Sequence, residues 1–387
     1  MNLGLEADTT PRMGSTNTTA PTGAADNFDI FKKDILMLHV PLAPDQAWID
    51  KLENKYPGFK VRWVHRSWQD YGKDDESTAA EAYEGVTMLC SYYPHKAELL
   101  PKLKWVQLTS AGADPWLQHP LYLNKEIVFC TANGCHPPQI AEWVIGTYLM
   151  LSHHFLPYHD AATQHGQSQV LRHLTAVDSP GMRMGILGYG AIGRQVARVA
   201  QALGMEIYAY TRRPKPTPES RKDDSYHVPG TGDPDGLIPS KWFSGSSRDD
   251  IDHFLAQDLD ILVVSLPLTA STKQIIGRKQ FDILAKKKTF LSNIARGGHV
   301  DTEALVEALK EDKIRGAALD VTDPEPLPEG HELLKMPDKC FVTPHVSWQT
   351  PFYFERVKAI LEENLERWRV NGGPKGLVNL MDRESGY

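Results

Sequence analysis

The chain has 387 residues, of which 41% are hydrophobic and 24% are charged. This composition is typical of globular proteins, and the length predicts about two domains. There are 42 lysine and arginine residues against 49 aspartate and glutamate residues, and the resulting net charge of −7 argues against general binding to nucleic acid or to an anionic membrane. The apolar runs are all too short to cross a bilayer.

The cysteines and the first residues of the chain predict little chemistry. Four cysteines in so long a chain do not form a disulfide framework, so we expect a reducing compartment, the cytosol. Cys130, Cys135 and His136 lie close together, as metal ligands can, but Cys130 falls within an apolar run typical of a strand. We therefore predict core cysteines and no metal site. Residues 1–29 are rich in Thr, Gly, Ala and Pro and are predicted to be a disordered tail.

From residue 34 onward, short apolar runs alternate with helical stretches. Strands are predicted over residues 34–40, 61–64, 85–92, 103–108 and 127–131. Because parallel strands need a crossover between them, this alternation predicts a small doubly wound domain. A helix that begins at Pro138 leads into a second series, with strands predicted over 183–188, 206–210, 260–266, 289–294, 316–321 and 340–343.

Two other segments of the second half stand out. Residues 352–369 carry apolar side chains along one face, which predicts an amphipathic last helix. Residues 214–250 are rich in proline and polar side chains, so a long irregular loop is predicted there.

The strongest local signal is a glycine-rich turn, Gly188-Tyr189-Gly190-Ala191-Ile192-Gly193, between a predicted strand and a helix. A dinucleotide-binding turn requires this context. Gly188 permits the tight turn, Gly190 lets the backbone approach a pyrophosphate, and Gly193 lets the helix pack on the strand. The six residues are therefore predicted to bind a dinucleotide at the start of the helix.

The end of the following strand predicts which dinucleotide is preferred. A carboxylate there would bind the ribose 2′-hydroxyl of NAD, but the chain has Thr211, followed by Arg212, Arg213 and Lys215. Guanidinium groups suit a 2′-phosphate by charge and by geometry. We therefore predict a preference for NADP(H), with NAD(H) as the alternative cofactor.

Three further segments, residues 293–298, 318–326 and 343–345, follow predicted strands, where open α/β sheets bind their ligands. Together with the glycine turn and Leu266-Pro267-Leu268-Thr269, they resemble the D-isomer-specific 2-hydroxyacid dehydrogenase family, which includes glyoxylate and hydroxypyruvate reductases. The resemblance covers roughly residues 85–350. It implies an NAD(P)-dependent oxidoreductase that acts on a small 2-oxo or 2-hydroxy acid and is typically a homodimer.

The resemblance also implies a fold and a set of site residues. The fold would consist of two doubly wound parallel-sheet domains, with a Rossmann nucleotide-binding domain (137–344) inserted in a flavodoxin-like substrate-binding domain (30–136 and 345–387). His345 would be the acid–base residue, since imidazole titrates near neutral pH. Glu325 would hold one ring nitrogen and favour the protonated ring. Arg296 would bind the carboxylate and the carbonyl of a 2-oxo acid.

Other residues match the family with less defined roles. Leu266 and Pro267 would contact the cofactor. Asp320 matches an acidic position of the family on the cofactor side. Alternatively, an aspartate at a strand end serves only to fix a turn or to tune the surroundings of the histidine.

The first domain would supply the rest of the substrate pocket. Residues 109–114 resemble the carboxylate-binding loop of the family, in which backbone N–H groups of Ala111 and Gly112 face the anion. Tyr92, Tyr93 and Trp348 would form an aromatic wall or, equally well, pack as ordinary aromatic residues. Such a wall would favour larger 2-oxo acids over glyoxylate.

Two other functions use the same fold. Formate-dehydrogenase-like members carry glutamine in place of the glutamate, so Glu325 argues against that activity. A nucleotide-sensing scaffold resembling the C-terminal-binding-protein corepressors would retain the same site residues, but the chain shows neither a nuclear-localisation run nor a long interaction tail. Loss of NADPH absorbance with a panel of 2-oxo acids distinguishes an enzyme from a scaffold.

Overall fold

The computed structural model describes residues 28–67, 78–165 and 175–383. The predicted disordered tail lies outside these residues, except for Phe28 and Asp29. Two separate β-sheets, of five and seven strands, organise the described residues. No helix in the described ranges combines the length and the apolar composition that crossing a bilayer requires.

The first sheet occupies the first third of the chain. Its elements are β1 (Ile35–Val40), α1 (Gln46–Lys55), β2 (Lys60–His65), β3 (Met88–Ser91), β4 (Trp105–Leu108), α2 (Pro120–Leu123) and β5 (Val128–Cys130). The strands are all parallel and lie in the order β2-β1-β3-β4-β5, which is the flavodoxin-like order. The carboxyl ends of β3 and β4, which precede the predicted substrate loops, are therefore adjacent.

The second sheet follows a long connecting helix. The elements are α3 (Pro137–Ser152), α4 (Phe155–His165), β6 (Arg183–Leu187), α5 (Ala191–Ala202), β7 (Glu206–Thr211), α6 (Pro218–Arg221), β8 (Lys241–Ser244), α7 (Arg248–Leu255), β9 (Ile261–Val264), α8 (Arg278–Leu284), β10 (Phe290–Asn293), α9 (Thr302–Lys310), β11 (Gly316–Leu319), β12 (Cys340–Val342) and α10 (Tyr353–Asn371). The strand order β12-β11-β10-β9-β6-β7-β8 is the Rossmann order with one strand added at an edge.

The last helix returns to the first sheet. Val357, Leu361 and Trp368 of α10 pack in the same core as Leu36 and Trp105 of the first sheet, while the second sheet has cores of its own. The second domain is therefore inserted in the first. The predicted fold class is confirmed, and the exact domain boundaries stay a prediction.

The prediction of an irregular loop over residues 214–250 is wrong in three places. The segment contains α6, β8 pairs with β7 at the edge of the second sheet, and α7 begins at Arg248. Lys241–Ser244 is a four-residue strand with no buried residue. So short an edge strand shows no alternation that a sequence pattern can detect.

Residues 222–240 of that segment cover α5, and we call them the strap. Arg194 of α5 is only 5% exposed, although it stands next to the glycine turn. Its guanidinium donates hydrogen bonds to the Arg221 and Asp233 carbonyls, and its Nε lies 3.2 Å from a carboxylate oxygen of Asp223. The buried surface of α5 therefore includes polar side chains as well as apolar ones, because the strap also covers polar residues of this helix.

The strap also reaches the first domain. Tyr226 packs against the core of the first sheet, and a Cβ atom at Gly134 would overlap the Tyr226 carbonyl oxygen. The Tyr226 N–H donates to the side-chain oxygen of Asn379 (3.4 Å), and the Asn379 amide donates to the carbonyls of Thr131 and Asn133. The strap thus connects the helix of the glycine turn to the segment that joins the two sheets.

A buried histidine at the start of α3 predicts acid sensitivity of the fold. Burial, together with nearby Arg356, lowers the pKa of His136 from an ordinary value of 6.5 to about 4. The unfolded chain therefore binds more protons between these two values, so stability is complete above about pH 6.5 and falls as the pH drops toward 4. Between about pH 7.5 and 5, we expect the free energy of unfolding to fall by about 2 kcal/mol more in the wild type than in His136→Asn.

Urea denaturation at the two pH values measures this difference. His159→Asn, which removes an exposed histidine of α4, is the control and should keep the wild-type pH dependence. An equal loss of stability in the wild type and in His136→Asn would contradict the prediction.

Candidate active site

The glycine turn connects β6 to α5. Gly188 has a φ of 109°, which favours glycine, and a Cβ atom there would overlap the Ser265 carbonyl oxygen. Gly190 caps α5 without a side-chain hydrogen bond, and nothing lies within 4 Å of the position that its Cβ would occupy. A Cβ at Gly193 would lie 2.5 Å from the Gly188 carbonyl oxygen. Open space above Gly190, at a helix start whose first N–H groups lack intrahelical partners, fits a pyrophosphate.

The other three residues of the glycine turn, Tyr189, Ala191 and Ile192, can contact a phosphate through their backbone N–H groups. The Tyr189 ring is buried, and its hydroxyl donates to the Asp233 carboxylate in the strap (2.8 Å). The side chain of Tyr189 therefore holds the strap, and its backbone alone is left to contact a phosphate. Ala191 and Ile192 form the first turn of α5.

Leu266 and Pro267 follow β9 and lie beside the glycine turn, because a Cβ atom at Gly188 would be 3.0 Å from the Leu266 nitrogen. His299 joins this turn to the one that carries Arg296. One His299 ring nitrogen lies 3.2 Å from the Pro267 carbonyl oxygen, and the other lies 3.0 Å from the Arg296 carbonyl oxygen. Burial lowers the pKa of His299, whereas its hydrogen bonds to the two carbonyl groups raise it. Because a neutral ring carries a single N–H, it donates to only one of the two carbonyl groups.

The turn after β7, residues 211–213, is basic and has the form expected for a phosphate site. Thr211 donates its hydroxyl hydrogen to the Arg213 carbonyl (2.7 Å), which closes the turn. Arg212 and Arg213 are exposed. Neither guanidinium has a hydrogen bond or an ion pair within the ranges that the structure describes. Two exposed cations side by side in sequence fit a bound phosphate group.

His345 follows β12 in a left-handed conformation, with a φ of 56°. Its Nδ1 lies 2.8 Å from Oε1 of Glu325, and Oε2 of Glu325 accepts the Thr322 N–H (3.2 Å). The carboxylate keeps the hydrogen on Nδ1, so Nε2 is the nitrogen that can exchange a proton with a ligand. The His345 side chain is 42% exposed, and among the described residues Nε2 has no hydrogen-bond partner. This arrangement suits a proton donor and acceptor.

Asp320 organises the turn that carries His345. Asp320 is 2% exposed, and its carboxylate accepts hydrogen bonds from the Thr343 hydroxyl (2.6 Å), the Val346 N–H (2.9 Å) and the Ser347 N–H (3.0 Å). The Asp320 carbonyl accepts the His345 N–H (2.8 Å). Asp320 therefore fixes a turn, which is one of the two roles that the sequence allows for it. Its contact with the cofactor stays a prediction.

Arg296 follows β10 and meets the first domain. Its Nη1 donates to the Ala295 carbonyl (2.8 Å), and its Nη2 donates to Oδ2 of Asp114 (2.9 Å). A Cβ atom at Gly112 would lie 2.6 Å from that Asp114 oxygen and 2.7 Å from Nη2 of Arg296. The loop of Ala111 and Gly112 and the Arg296 guanidinium therefore meet between the two domains, in what we call the cleft, and a Cβ at position 112 would displace the ends of the Asp114 and Arg296 side chains.

The turns that carry the three predicted catalytic residues adjoin one another. β10 and β11 pair in parallel, so the turns after these strands lie side by side. A Cβ atom at Gly297 would overlap the carbonyl of Thr322, close to the turn of Glu325. The structure thus brings Arg296, Glu325 and His345 to one edge of the second sheet.

Tyr92 and Tyr93 follow β3, with their ring centroids 4.4 Å apart. The Tyr92 carbonyl accepts the indole N–H of buried Trp116 (2.7 Å), which fixes this turn against the loop of Asp114. Burial and Tyr93 raise the pKa of the Tyr92 phenol, whereas Arg296 lowers it. The Tyr92 phenol is therefore within electrostatic range of Arg296 and is a hydrogen-bond donor at neutral pH.

Trp348 holds the turn of His345 from the other side. Its indole N–H donates to the His345 carbonyl (2.9 Å), and its own carbonyl accepts the side-chain amide of Gln139 in α3 (2.7 Å). Its ring lies 5.4 Å from the ring of Tyr353 and packs against cores of both domains. Aromatic packing is thus observed for Trp348, and its contact with substrate stays a prediction.

Two observations complete the description of the site. The described residues contain no group of three or more His, Cys, Asp or Glu side chains that could hold a metal ion. All four cysteines are buried and free, so the prediction of core cysteines is confirmed. Sequence reasoning missed the contacts of Asp114 and His299; Asp114 stands in a segment resembling the family, and His299 directly follows another.

Comparison with known proteins identifies the family. The model of the "D-isomer specific 2-hydroxyacid dehydrogenase, NAD binding domain" matches residues 145–231 and 239–347. A glycerate dehydrogenase of Methylorubrum extorquens is 31% identical over 286 residues, which cover 72% of this chain and 80% of the relative. A glyoxylate reductase of Thermofilum pendens is 30% identical over 282 residues, which cover 72% of this chain and 76% of the relative.

A solved structure shares the fold. The crystal structure of a D-isomer specific 2-hydroxyacid dehydrogenase from Xanthobacter autotrophicus Py2, in complex with NADPH and MES, matches with a TM-score of 0.68 and 23% identity. The match covers 92% of this chain and 100% of that chain. The family model and these relatives define an NAD(P)-dependent oxidoreductase. The chain belongs to the D-isomer-specific 2-hydroxyacid dehydrogenase family, which confirms the resemblance that its sequence predicts.

Proposed function

We propose that the protein reduces a 2-oxo acid to a D-2-hydroxy acid, with NADP(H) preferred over NAD(H) and His345 as the acid–base residue. The observation that carries the proposal is the meeting of Arg296 with the Gly112 loop, at the edge where Glu325 holds His345. A bound reduced nicotinamide would supply a hydride to the carbonyl carbon of the substrate.

The side chains of the cleft would bind and polarise the substrate. The guanidinium of Arg296 offers several N–H donors, which suit the carboxylate and the carbonyl oxygen of a 2-oxo acid and draw electron density from its carbonyl carbon. The backbone N–H groups of Ala111 and Gly112 would complete the carboxylate site. Protonated His345 would give the proton on Nε2 to the new hydroxyl oxygen, while Glu325 stabilises the charged ring through Nδ1.

The remaining predicted contacts form part of the same proposal. Leu266 and Pro267 lie beside the glycine turn, which supports their contact with the cofactor, and Asp320 would lie on the cofactor side of His345. The homodimer is proposed from the family resemblance alone, and the cytosolic location from the cysteine content. Light scattering of the purified protein measures its oligomeric state and so tests the homodimer.

The relatives support the class of substrate. Proteins named glycerate dehydrogenase and glyoxylate reductase are among them, which supports an acid of the hydroxypyruvate or glyoxylate type. Tyr92 and Tyr93, with Arg296 in electrostatic range of Tyr92, support acceptance of a bulkier 2-oxo acid. Trp348 is proposed as the third member of this aromatic wall.

A substrate panel tests the proposal. The protein is mixed with NADPH or NADH and with glyoxylate, hydroxypyruvate, or branched and aromatic 2-oxo acids. We expect loss of nicotinamide absorbance with at least one acid, and a product of D configuration on chiral analysis. Binding of the cofactor without turnover of any acid would instead support the nucleotide-sensing scaffold.

The cofactor preference is expected to depend on the turn after β7. In the double variant Arg212→Ser, Arg213→Ser, we expect kcat/KM for NADPH to fall at least roughly tenfold, because charge-assisted hydrogen bonds to the 2′-phosphate are lost. The value for NADH should change less than about threefold, since NADH lacks that phosphate. Lys222→Ser, which removes an exposed cation of the strap, is the control. If the wild type preferred NADH, or if the double variant lost kcat/KM equally with both cofactors, the proposed preference for NADP(H) would be refuted.

A further inference from the structure

Asp114 lies where the carboxylate of a substrate is expected. We propose that Asp114 is a built-in substitute for the substrate carboxylate: it holds the Arg296 guanidinium until a 2-oxo acid binds and then has to release it. This inference rests on the proposed function and deepens it, because it makes Asp114 a residue that sets affinity for anionic substrates.

The geometry makes Asp114 and a substrate carboxylate mutually exclusive. Oδ2 of Asp114 accepts a hydrogen bond from Nη2 of Arg296, and both atoms lie within 2.7 Å of the position that a Cβ at Gly112 would occupy. A carboxylate bound by Arg296 and by the backbone N–H groups of Gly112 would need this same space. Two carboxylates so close would also repel each other. The Asp114 side chain therefore has to turn away before the substrate can bind.

The surroundings of Asp114 allow that movement. The Asp114 side chain is 46% exposed, and within the described residues its carboxylate has no hydrogen-bond partner besides Arg296. Asp114 begins a single 3-10 turn, Asp114–Trp116, which is held by the Trp116 N–H on the Ala113 carbonyl (2.8 Å) and by the Trp116 indole on the Tyr92 carbonyl. The turn therefore does not depend on the Asp114 carboxylate. An exposed ion pair also contributes little stability, so a substrate can displace it.

The ion pair also spans the cleft, because Asp114 belongs to the first domain and Arg296 to the second. It neutralises part of the guanidinium charge that attracts an anion from solution. After release, the Asp114 carboxylate remains close to the bound anion and repels it. Both effects weaken the binding of every carboxylate ligand. Neither effect requires Asp114 to contact the atoms that react. The proposal therefore predicts a change in KM without a comparable change in kcat.

Asp114→Asn tests the proposal, since it removes the charge and keeps the size of the side chain. Oxamate, the unreactive amide analogue of pyruvate, is titrated into the enzyme loaded with reduced cofactor, and quenching of tryptophan fluorescence reports its Kd. We expect Asp114→Asn to lower the Kd of oxamate, and the KM of the best 2-oxo acid, by about three- to tenfold. The kcat should stay within about threefold of the wild type.

Asp50→Asn is the control for net charge, because Asp50 is an exposed aspartate of α1 in the same domain. It should leave the Kd of oxamate unchanged. An unchanged or raised Kd in Asp114→Asn, an equal fall in Asp50→Asn, or no binding of oxamate to the wild type would overturn the proposal. The failure of the wild type to turn over any 2-oxo acid would instead refute the proposed function, because the oxamate titration needs no turnover.

Discussion

Replacing His345 with alanine is expected to lower kcat/KM for the best 2-oxo acid by more than about 100-fold. Glu325 keeps a hydrogen on Nδ1, so Nε2 is the nitrogen that gives or takes the proton of the substrate oxygen. Without the imidazole, water has to supply that proton. Steady-state assays in both directions measure the loss, and the Kd of the cofactor should change little because His345 lies outside the glycine turn.

A second variant separates chemistry from backbone conformation. His345 has a φ of 56°, which alanine tolerates poorly and asparagine tolerates well. His345→Asn should therefore keep the turn and still lose more than about 100-fold in kcat/KM. His253→Asn, which removes an exposed histidine of α7, is the matched control and should behave as the wild type. If either His345 variant kept a rate near that of the wild type, His345 would not be the acid–base residue of the reaction.

Replacing Arg296 with alanine should cause a loss of similar size, more than about 100-fold in kcat/KM. The guanidinium has two tasks, binding the substrate carboxylate and polarising the carbonyl, so we expect KM to rise and kcat to fall together. Arg296→Lys keeps the charge but loses the planar fork. It should recover part of the affinity and less of kcat.

The variants need a matched control and a test of mechanism. Arg367→Ala removes an arginine of α10 that is 42% exposed and pairs with Glu363, and it should keep the wild-type rate. Added guanidinium chloride at millimolar concentration should restore part of the activity of Arg296→Ala and none of that of His345→Ala. If Arg296→Ala retained the wild-type kcat/KM, the substrate site would have to be placed elsewhere.

The strand pattern and the local motifs predict much of this protein. Apolar runs separated by helices predict both parallel sheets, because a parallel strand needs a crossover and its buried residues are continuous in sequence. Gly188, Gly190 and Gly193 predict the nucleotide turn, and the structure shows a steric reason for glycine at positions 188 and 193 and open space at position 190. Glu325 and His345 stand only 20 residues apart, and their hydrogen bond agrees with the family resemblance.

What the sequence does not predict depends on contacts between distant segments. Asp114 and Arg296 are 182 residues apart, and nothing near Asp114 in sequence shows that it meets a guanidinium. Arg194 has the sequence context of an exposed helix residue, yet it is buried because carbonyl groups of a proline-rich segment accept its hydrogen bonds. Pairings of this kind arise from tertiary packing, which hydrophobic periodicity does not encode.

The strap also has a consequence for protein engineering. A chimaera that takes its nucleotide-binding half from a relative would lose Tyr226, although this residue packs in the core of the other half. The recess at Gly134 would be left uncovered, and Asn379 would lose an N–H donor. Conversely, a graft of this half onto a relative would require glycine at the position that faces Tyr226. Crossover points chosen between the two sheets would therefore divide a single packed unit.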